Sequence, residues 1–251
     1  MNIQIVSDLH IEYKNDLVPD PLDFITPSAD ILILAGDIGS LYKLNQLSTF
    51  LKKLCSHFQL VLYTLGNHEF YYFNESNLKT MNELLDDLMV IKEKIPNLYI
   101  LNRSSLLING ICFSGATLWS KAECNIPKYI VKINEMTTKL YLDMHEEDLA
   151  YINSMIRYCK KKNYKHVIIT HHCPSYRVLD RTYKNNNRFA SLYATNLDHL
   201  LRKNNVDTWI SGHNHCNFDY ITDGGTRVVS NQLGKPIDNI TDFSKEFIIT
   251  L

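Results

Sequence analysis

Five short clusters in this 251-residue chain carry side chains that hold metal ions well. They are Asp8-Leu9-His10, Gly36-Asp37, Gly66-Asn67-His68-Glu69, His171-His172 and Gly212-His213-Asn214-His215. Carboxylates, an amide carbonyl and neutral imidazoles form a borderline-hard donor set, suited to Mn, Fe, Zn or Co rather than to Ca or Cu(I). Asp8 and His10 stand two apart, and on an extended segment they point to one side and can share an ion. His213 and His215 repeat that spacing, with Gly212 giving the backbone room to turn. Asp37 follows a glycine, where a bridging carboxylate can lie between two ions. Two ions about 3.5–4 Å apart clamp an in-line displacement at phosphorus, supply hydroxide from a shared water near neutral pH, and polarise the phosphoryl oxygens.

Each cluster alone has a plainer explanation. Asp-x-His is often a surface pair, Gly-Asp and Gly-Asn are common turn dipeptides, and adjacent histidines can be one core residue beside one surface residue. What joins them is position: each follows an apolar run. The runs expected as strands cover residues 3–6, 31–34, 60–64, 106–108, 111–114, 167–170, 208–211, 218–221, 227–230 and 247–250. Apolar residues at steps of three and four predict a helix through Leu78, Met81, Leu85, Leu88, Ile91 and Ile95. A second has Leu149, Ile152, Ile156 and Cys159 on one face. A third is expected after Asn196, burying Leu197, Leu200 and Leu201, and a weaker one over about 43–57. Strands alternating with helices give an α/β class. In such sheets ligands sit beyond the carboxyl ends of the strands, which is where five of these runs deliver their polar residues. Without repeats or Pro/Gly-rich linkers, residues 1–251 read as one domain.

Composition narrows the function. The 26 basic and 27 acidic residues nearly cancel, for a formal net charge of -1. Gripping a long nucleic-acid backbone takes clustered cations, so extended nucleic-acid binding is not expected. The start of the chain lacks the pattern of a signal peptide. No apolar run approaches the roughly 20 residues that span a bilayer, so no membrane association is expected. The six cysteines are scattered, with no C-x-x-C pair, and read as reduced thiols of a cytoplasmic protein.

The ordered set of five clusters resembles the calcineurin-like metallophosphoesterase superfamily. The stretches Gly66-Asn67-His68-Glu69-Phe70-Tyr71, Ser114-Gly115-Ala116-Thr117-Leu118-Trp119 and 224–231 are similar to a little-characterised branch of small microbial and viral phosphohydrolases. That resemblance implies a four-layer αββα sandwich with the metals at the strand ends. It also implies that Asp8, His10 and His215 hold one divalent ion, and Asn67, His171 and His213 a second, with Asp37 bridging. Manganese is the expected metal, with Fe, Zn or Co as alternatives. His68 would not bind metal but would act as general acid, a role that its near-neutral reference pKa suits. Between the adjacent histidines, His171 is taken as ligand and His172 as a substrate contact.

The pattern departs from the protein Ser/Thr phosphatases of that superfamily. Their bridging Asp opens a Gly-Asp-x-x-Asp-Arg-Gly run whose second Asp supports the catalytic His. Ser40 stands there in this chain and the Arg is missing. The partner of His68 is thus open, with Glu69 and His172 near it in sequence. Arg177, Arg181, Lys184 and Arg188 alternate with Tyr176, Tyr183, Phe189 and Tyr193 after the His171 strand, a mixture that can hold a phosphate and stack a base; Arg188 is the residue singled out for substrate. Trp119 with Lys121, Lys128 and Lys132 is a second candidate wall. The leading expectation is hydrolysis of a phosphomonoester or phosphodiester of a small molecule such as a nucleotide. A nuclease for short nucleic acid and a non-catalytic metal-binding interaction module are the alternatives.

Overall fold

The computed structural model describes residues 1–15, 17–179 and 189–251. Strands β1 (Asn2–Val6), β2 (Ile31–Ala35), β3 (Leu60–Thr64), β4 (Leu98–Ile100) and β11 (Ile248–Thr250) form one sheet in the order β11-β1-β2-β3-β4. Strands β5 (Ser104–Ile108), β6 (Ile111–Ala116), β7 (Lys165–Thr170), β8 (Thr208–Ile210), β9 (Phe218–Ile221) and β10 (Arg227–Ser230) form the other, in the order β5-β6-β7-β8-β10-β9.

The period of two along each strand decides which layer a residue joins. Ile3, Ile5, Ile31, Ile33 and Leu62 face the second sheet and pack against Phe113, Val167, Ile169, Ile210 and Val229. Their neighbours Val6, Leu32, Leu34, Val61 and Tyr63 face outward, under helices α1 (Leu44–Cys55) and α2 (Met81–Glu93). On the far side Ile168, Trp209 and Val228 lie under Ile152 and Ile156 of helix α3 (Thr138–Lys162). Helix, sheet, sheet and helix are therefore stacked as four layers. Central strands buried on both faces read as unbroken apolar runs, as β2 does with Ile-Leu-Ile-Leu-Ala.

Two expectations need correction. The helix expected after Asn196 is a run of turns, although Leu197, Leu200 and Leu201 are buried as foreseen. Its backbone is claimed elsewhere: the Lys203 N–H donates to Gly224 O, and the Thr222 hydroxyl donates to Leu201 O. Tertiary hydrogen bonds thus take groups that a helix would have paired internally. The helix expected from Leu78 starts later, because Thr80 and Glu83 form a capping box that fixes Met81 as its first residue. Strand β4 was not foreseen, being only three residues long.

β1, β2 and β3 run parallel, as do β6, β7, β8 and β10. The carboxyl ends of β1, β2 and β3 in one sheet meet those of β7 and β8 in the other.

Candidate metal centre

The backbone turns sharply after β1, β2 and β8. Asp8, His10, Asp37, His213 and His215 all have positive φ, between 48° and 76°. Such left-handed residues are uncommon outside glycine and cost about 1–3 kcal/mol each unless the surroundings hold them. Five of the seven expected ligands sit in this strained region. Asp8 and His10 therefore meet by a left-handed turn, not by alternation along an extended segment. Gly212 likewise serves close approach rather than turning, since a Cβ there would stand 2.5 Å from Asp8 Oδ2.

Buried polar side chains clamp these turns. Glu69 is fully buried and joins two of the loops. Its Oε2 accepts from the N–H groups of Gly66 (2.7 Å) and Asp37 (3.0 Å). Its Oε1 accepts from the Ile38 N–H (2.8 Å) and the Tyr63 hydroxyl (2.5 Å). All four partners donate, so Glu69 is spent on the loops and is not the partner of His68. Asp8 accepts from the His213 N–H, tying the first sheet to the second. Gln232 accepts from the His215 N–H at 2.8 Å.

The donor atoms gather in two adjoining groups. In one, His215 Nε2 lies 3.3 Å from Asp8 Oδ1 and 3.1 Å from His10 Nε2. In the other, His171 Nε2 lies 3.1 Å from Asn67 Oδ1 and 3.2 Å from His213 Nδ1. Asp37 Oδ2 stands between them, 3.3 Å from His171 Nε2 and 3.7 Å from His10 Nε2. Donor atoms that share one ion at about 2.1 Å are about 3 Å apart when they subtend a right angle. Each spacing suits a common ion.

The far nitrogens of the four histidines make the same point. His10 Nδ1 lies 2.9 Å from Glu12 Oε1, and His215 Nδ1 lies 2.6 Å from Asp238 Oδ2. His171 Nδ1 lies 2.9 Å from Ala35 O, and His213 Nε2 lies 3.1 Å from Leu192 O. All four partners are acceptors, so these nitrogens carry the proton in the neutral rings. The remaining lone pairs then converge on two points, as orienting contacts do around a metal.

Charge agrees with geometry. Burial works against ionising Asp37, yet His171 and His68 outweigh it and hold the carboxyl well below the usual range. Burial likewise works against a charged His171, but Asp37 and Asp8 raise it to about 9. The carboxylates thus favour positive charge between them. Burial, reinforced by neighbouring imidazoles, holds His213 and His172 well below the ordinary histidine value and so neutral.

His68 stands apart from both donor groups. Its Nδ1 lies 3.2 Å from Glu12 Oε1, and its ring stacks on Tyr71 with centroids 4.4 Å apart. It opens onto a cleft of about 310 Å³ whose walls include Tyr13, Tyr71, Phe189, Tyr193, Lys132 and Lys235. His172 lines the same cleft, packed between Trp119, Tyr141 and His213. Arg181, Lys184, Tyr183 and Arg188 lie outside the described residues. Arg177 turns away from the cleft to pair with Asp198 and Asp223. Trp119 is a buried core residue, and Lys121 and Lys128 are exposed and away from the cleft wall. Cys173 is buried and donates its thiol to Gly212 O.

Glu12, Asp238 and Gln232 escaped the sequence reading. Glu12 offered a signal, its place two residues after His10. Asp238 and Gln232 offered none, since only tertiary structure brings the end of the chain to His215.

Known proteins share this fold. The model of the calcineurin-like phosphoesterases matches residues 1–217. A protein of Acanthamoeba polyphaga mimivirus is 26% identical, over 92% of this chain and 90% of its own. The phosphopantetheinyl hydrolase of Mycobacterium tuberculosis superposes with a TM-score of 0.65 at 16% identity, covering 94% of this chain and 90% of that one. A dimetal phosphatase from Danio rerio superposes with a TM-score of 0.55 at 14% identity, covering 92% and 86%. The chain belongs to the calcineurin-like phosphoesterase family. It is a metal-dependent phosphohydrolase.

Proposed function

We propose that the chain hydrolyses a phosphate ester of a small molecule, with nucleotides as the substrate class, at a pair of divalent ions. Asp8, His10 and His215 would hold one ion, and Asn67, His171 and His213 the other, with Asp37 shared. The observation that carries this reading is the position of Asp37 Oδ2, within 4 Å of an imidazole nitrogen from each group. The donor set, with one amide oxygen, two carboxylates and four imidazoles, favours manganese, with Fe, Zn or Co as alternatives. When bound, the ions supply the positive charge that activates water and offsets charge on the phosphoryl oxygens.

The chain's own side chains do the rest. His68, held at Nδ1, turns its other nitrogen to the cleft and gives its proton to the oxygen that leaves phosphorus. His172, neutral and buried at the cleft wall, orients the phosphoryl group. Lys132 and Lys235 attract the anionic substrate. Tyr13 and Tyr71 flank His68 and offer ring faces to a planar leaving group. That wall favours nucleotides. Arg188 remains a proposed substrate contact from the sequence alone. The six cysteines are all free, in keeping with a reducing, cytoplasmic setting.

A manganese-supplemented screen over mononucleotides, cyclic nucleotides, dinucleotides, phosphopantetheinyl esters and short oligonucleotides tests the substrate class. Highest kcat/KM on a mono- or dinucleotide is expected. Preference for the oligonucleotides would move the assignment to a nuclease.

A further inference from the structure

Glu12 is the residue whose surroundings demand more than a structural role. It lies in the short 3-10 turn Ile11–Tyr13, directly after the left-handed His10. Its side chain is almost wholly buried, and one oxygen, Oε1, receives both His10 Nδ1 at 2.9 Å and His68 Nδ1 at 3.2 Å. The other oxygen, Oε2, is buried without any hydrogen-bond partner. A buried carboxylate oxygen left unpaired costs stability, about 1–3 kcal/mol or more for a charged group. Such a residue makes sense where it serves something other than the fold. Ser40, which stands where the protein Ser/Thr phosphatases carry a supporting Asp, is 3.3 Å from Tyr71 O, to which its hydroxyl donates, and caps the turn at Tyr42.

We infer that Glu12 is the positioning residue for His68 and His10 together, one carboxylate orienting both the general acid and a ligand of the first ion. This rests on the phosphoesterase reading above. By accepting from Nδ1–H of both rings, Glu12 fixes their tautomers and turns both Nε2 atoms toward the site. As the bond between phosphorus and the leaving oxygen breaks, that oxygen takes the proton from His68 Nε2. His68 is left neutral, still donating from Nδ1 to Glu12. The same oxygen, Oε1, holds His10, so the acid is registered against the first ion rather than against the protein at large.

Glu12→Gln tests this on the metal-loaded protein. An amide oxygen accepts less strongly than a carboxylate, and its NH₂ offers nothing to a ring N–H. The affinity for the first ion, measured by calorimetry, should fall by about 10–100-fold. At saturating Mn²⁺, turnover of aryl phosphodiesters should fall by a similar factor for poor leaving groups and far less for p-nitrophenolate. In a His68→Ala background the same substitution should change the leaving-group dependence no further, because Glu12 acts through His68. Equal slowing of all leaving groups, or full additivity with His68→Ala, would overturn the assignment. If Glu12→Gln does not fold, histidine ¹⁵N spectra of the zinc-loaded wild type decide the matter, since His68 must carry its proton on Nδ1. A wild type that hydrolyses no ester under any metal would count against the phosphoesterase reading. The tautomer of His68 and the metal affinity of Glu12→Gln would still report on Glu12.

Discussion

Two carboxylates at this site do different work at the scale of single residues. Asp37 faces both donor groups and Glu12 faces the rear of two rings. His68 takes part in neither donor group, so its loss should spare the ions. His68→Ala is expected to bind two ions like the wild type and to slow poor leaving groups by about 10²–10⁴-fold. Metal analysis beside a leaving-group series checks both halves, and loss of an ion would contradict the role assigned here. The proposed ligands stand out in the sequence because each pairs a distinctive residue type with the end of an apolar run. Apart from Glu12, the groups that orient them do not. Ala35 O and Leu192 O are backbone atoms that any residue could supply, and Asp238 lies 23 positions from the histidine it holds.

At the scale of elements, the turns after β2 and β3 interlock so closely that no side chain fits between them. A Cβ on Gly66 would stand 2.2 Å from Asp37 Oδ1 and 2.8 Å from His171 Nε2. Gly66→Ala should therefore lower metal content and turnover while leaving circular dichroism unchanged; full occupancy by both ions would contradict this packing. A second test lies at the start of β7, away from the ligands. Burial depresses the His166 ring from 6.5 to about 4. The unfolded chain takes up a proton below pH 6.5 that the folded chain refuses until about 4. The neutral ring's contribution is thus fully present above 6.5 and lost as pH falls toward 4, about 3 kcal/mol at most. Urea unfolding of His166→Gln at equal metal load should show a shallower loss between those pH values than the wild type. Parallel slopes for the two proteins would remove His166 from the acid sensitivity. Most strands and three of the four expected helices were legible, because burial on one or both faces leaves a period of two or of three to four. The segment after Asn196 has the same apolar pattern, but its backbone is tied to the hairpin beside it, which periodicity does not record.

For the whole molecule, the centre is divided between the two sheets. Asp8, His10, Asp37, Asn67 and His68 follow strands of the first, and His171, His213 and His215 follow strands of the second. Ions that bind such a seam stabilise the docked state by mass action. Manganese at 100 times its dissociation constant should add about 2.7 kcal/mol to unfolding, read as a raised melting temperature that EDTA reverses. A melting temperature indifferent to both would mean that the seam is already complete without ions. The four-layer arrangement was legible only through the family resemblance, since alternating strands and helices are compatible with several α/β topologies. Balanced charge predicts a limited grip on nucleic acid; among the described residues, Lys132 and Lys235 are the lysines at the cleft wall.

The central claim is that seven side chains from five strand ends hold two ions that make the protein a phosphoesterase, with Asp37 between them. Metal content and turnover of an aryl phosphodiester, measured on the same preparations of wild type and Asp37→Ala with Mn²⁺, test it most directly. Two ions per wild-type chain are expected, with turnover that EDTA abolishes. Asp37→Ala should hold fewer ions and lose about 10³-fold or more in rate, the scale of removing a main electrostatic stabiliser. Unchanged metal content and turnover in Asp37→Ala would contradict the shared site.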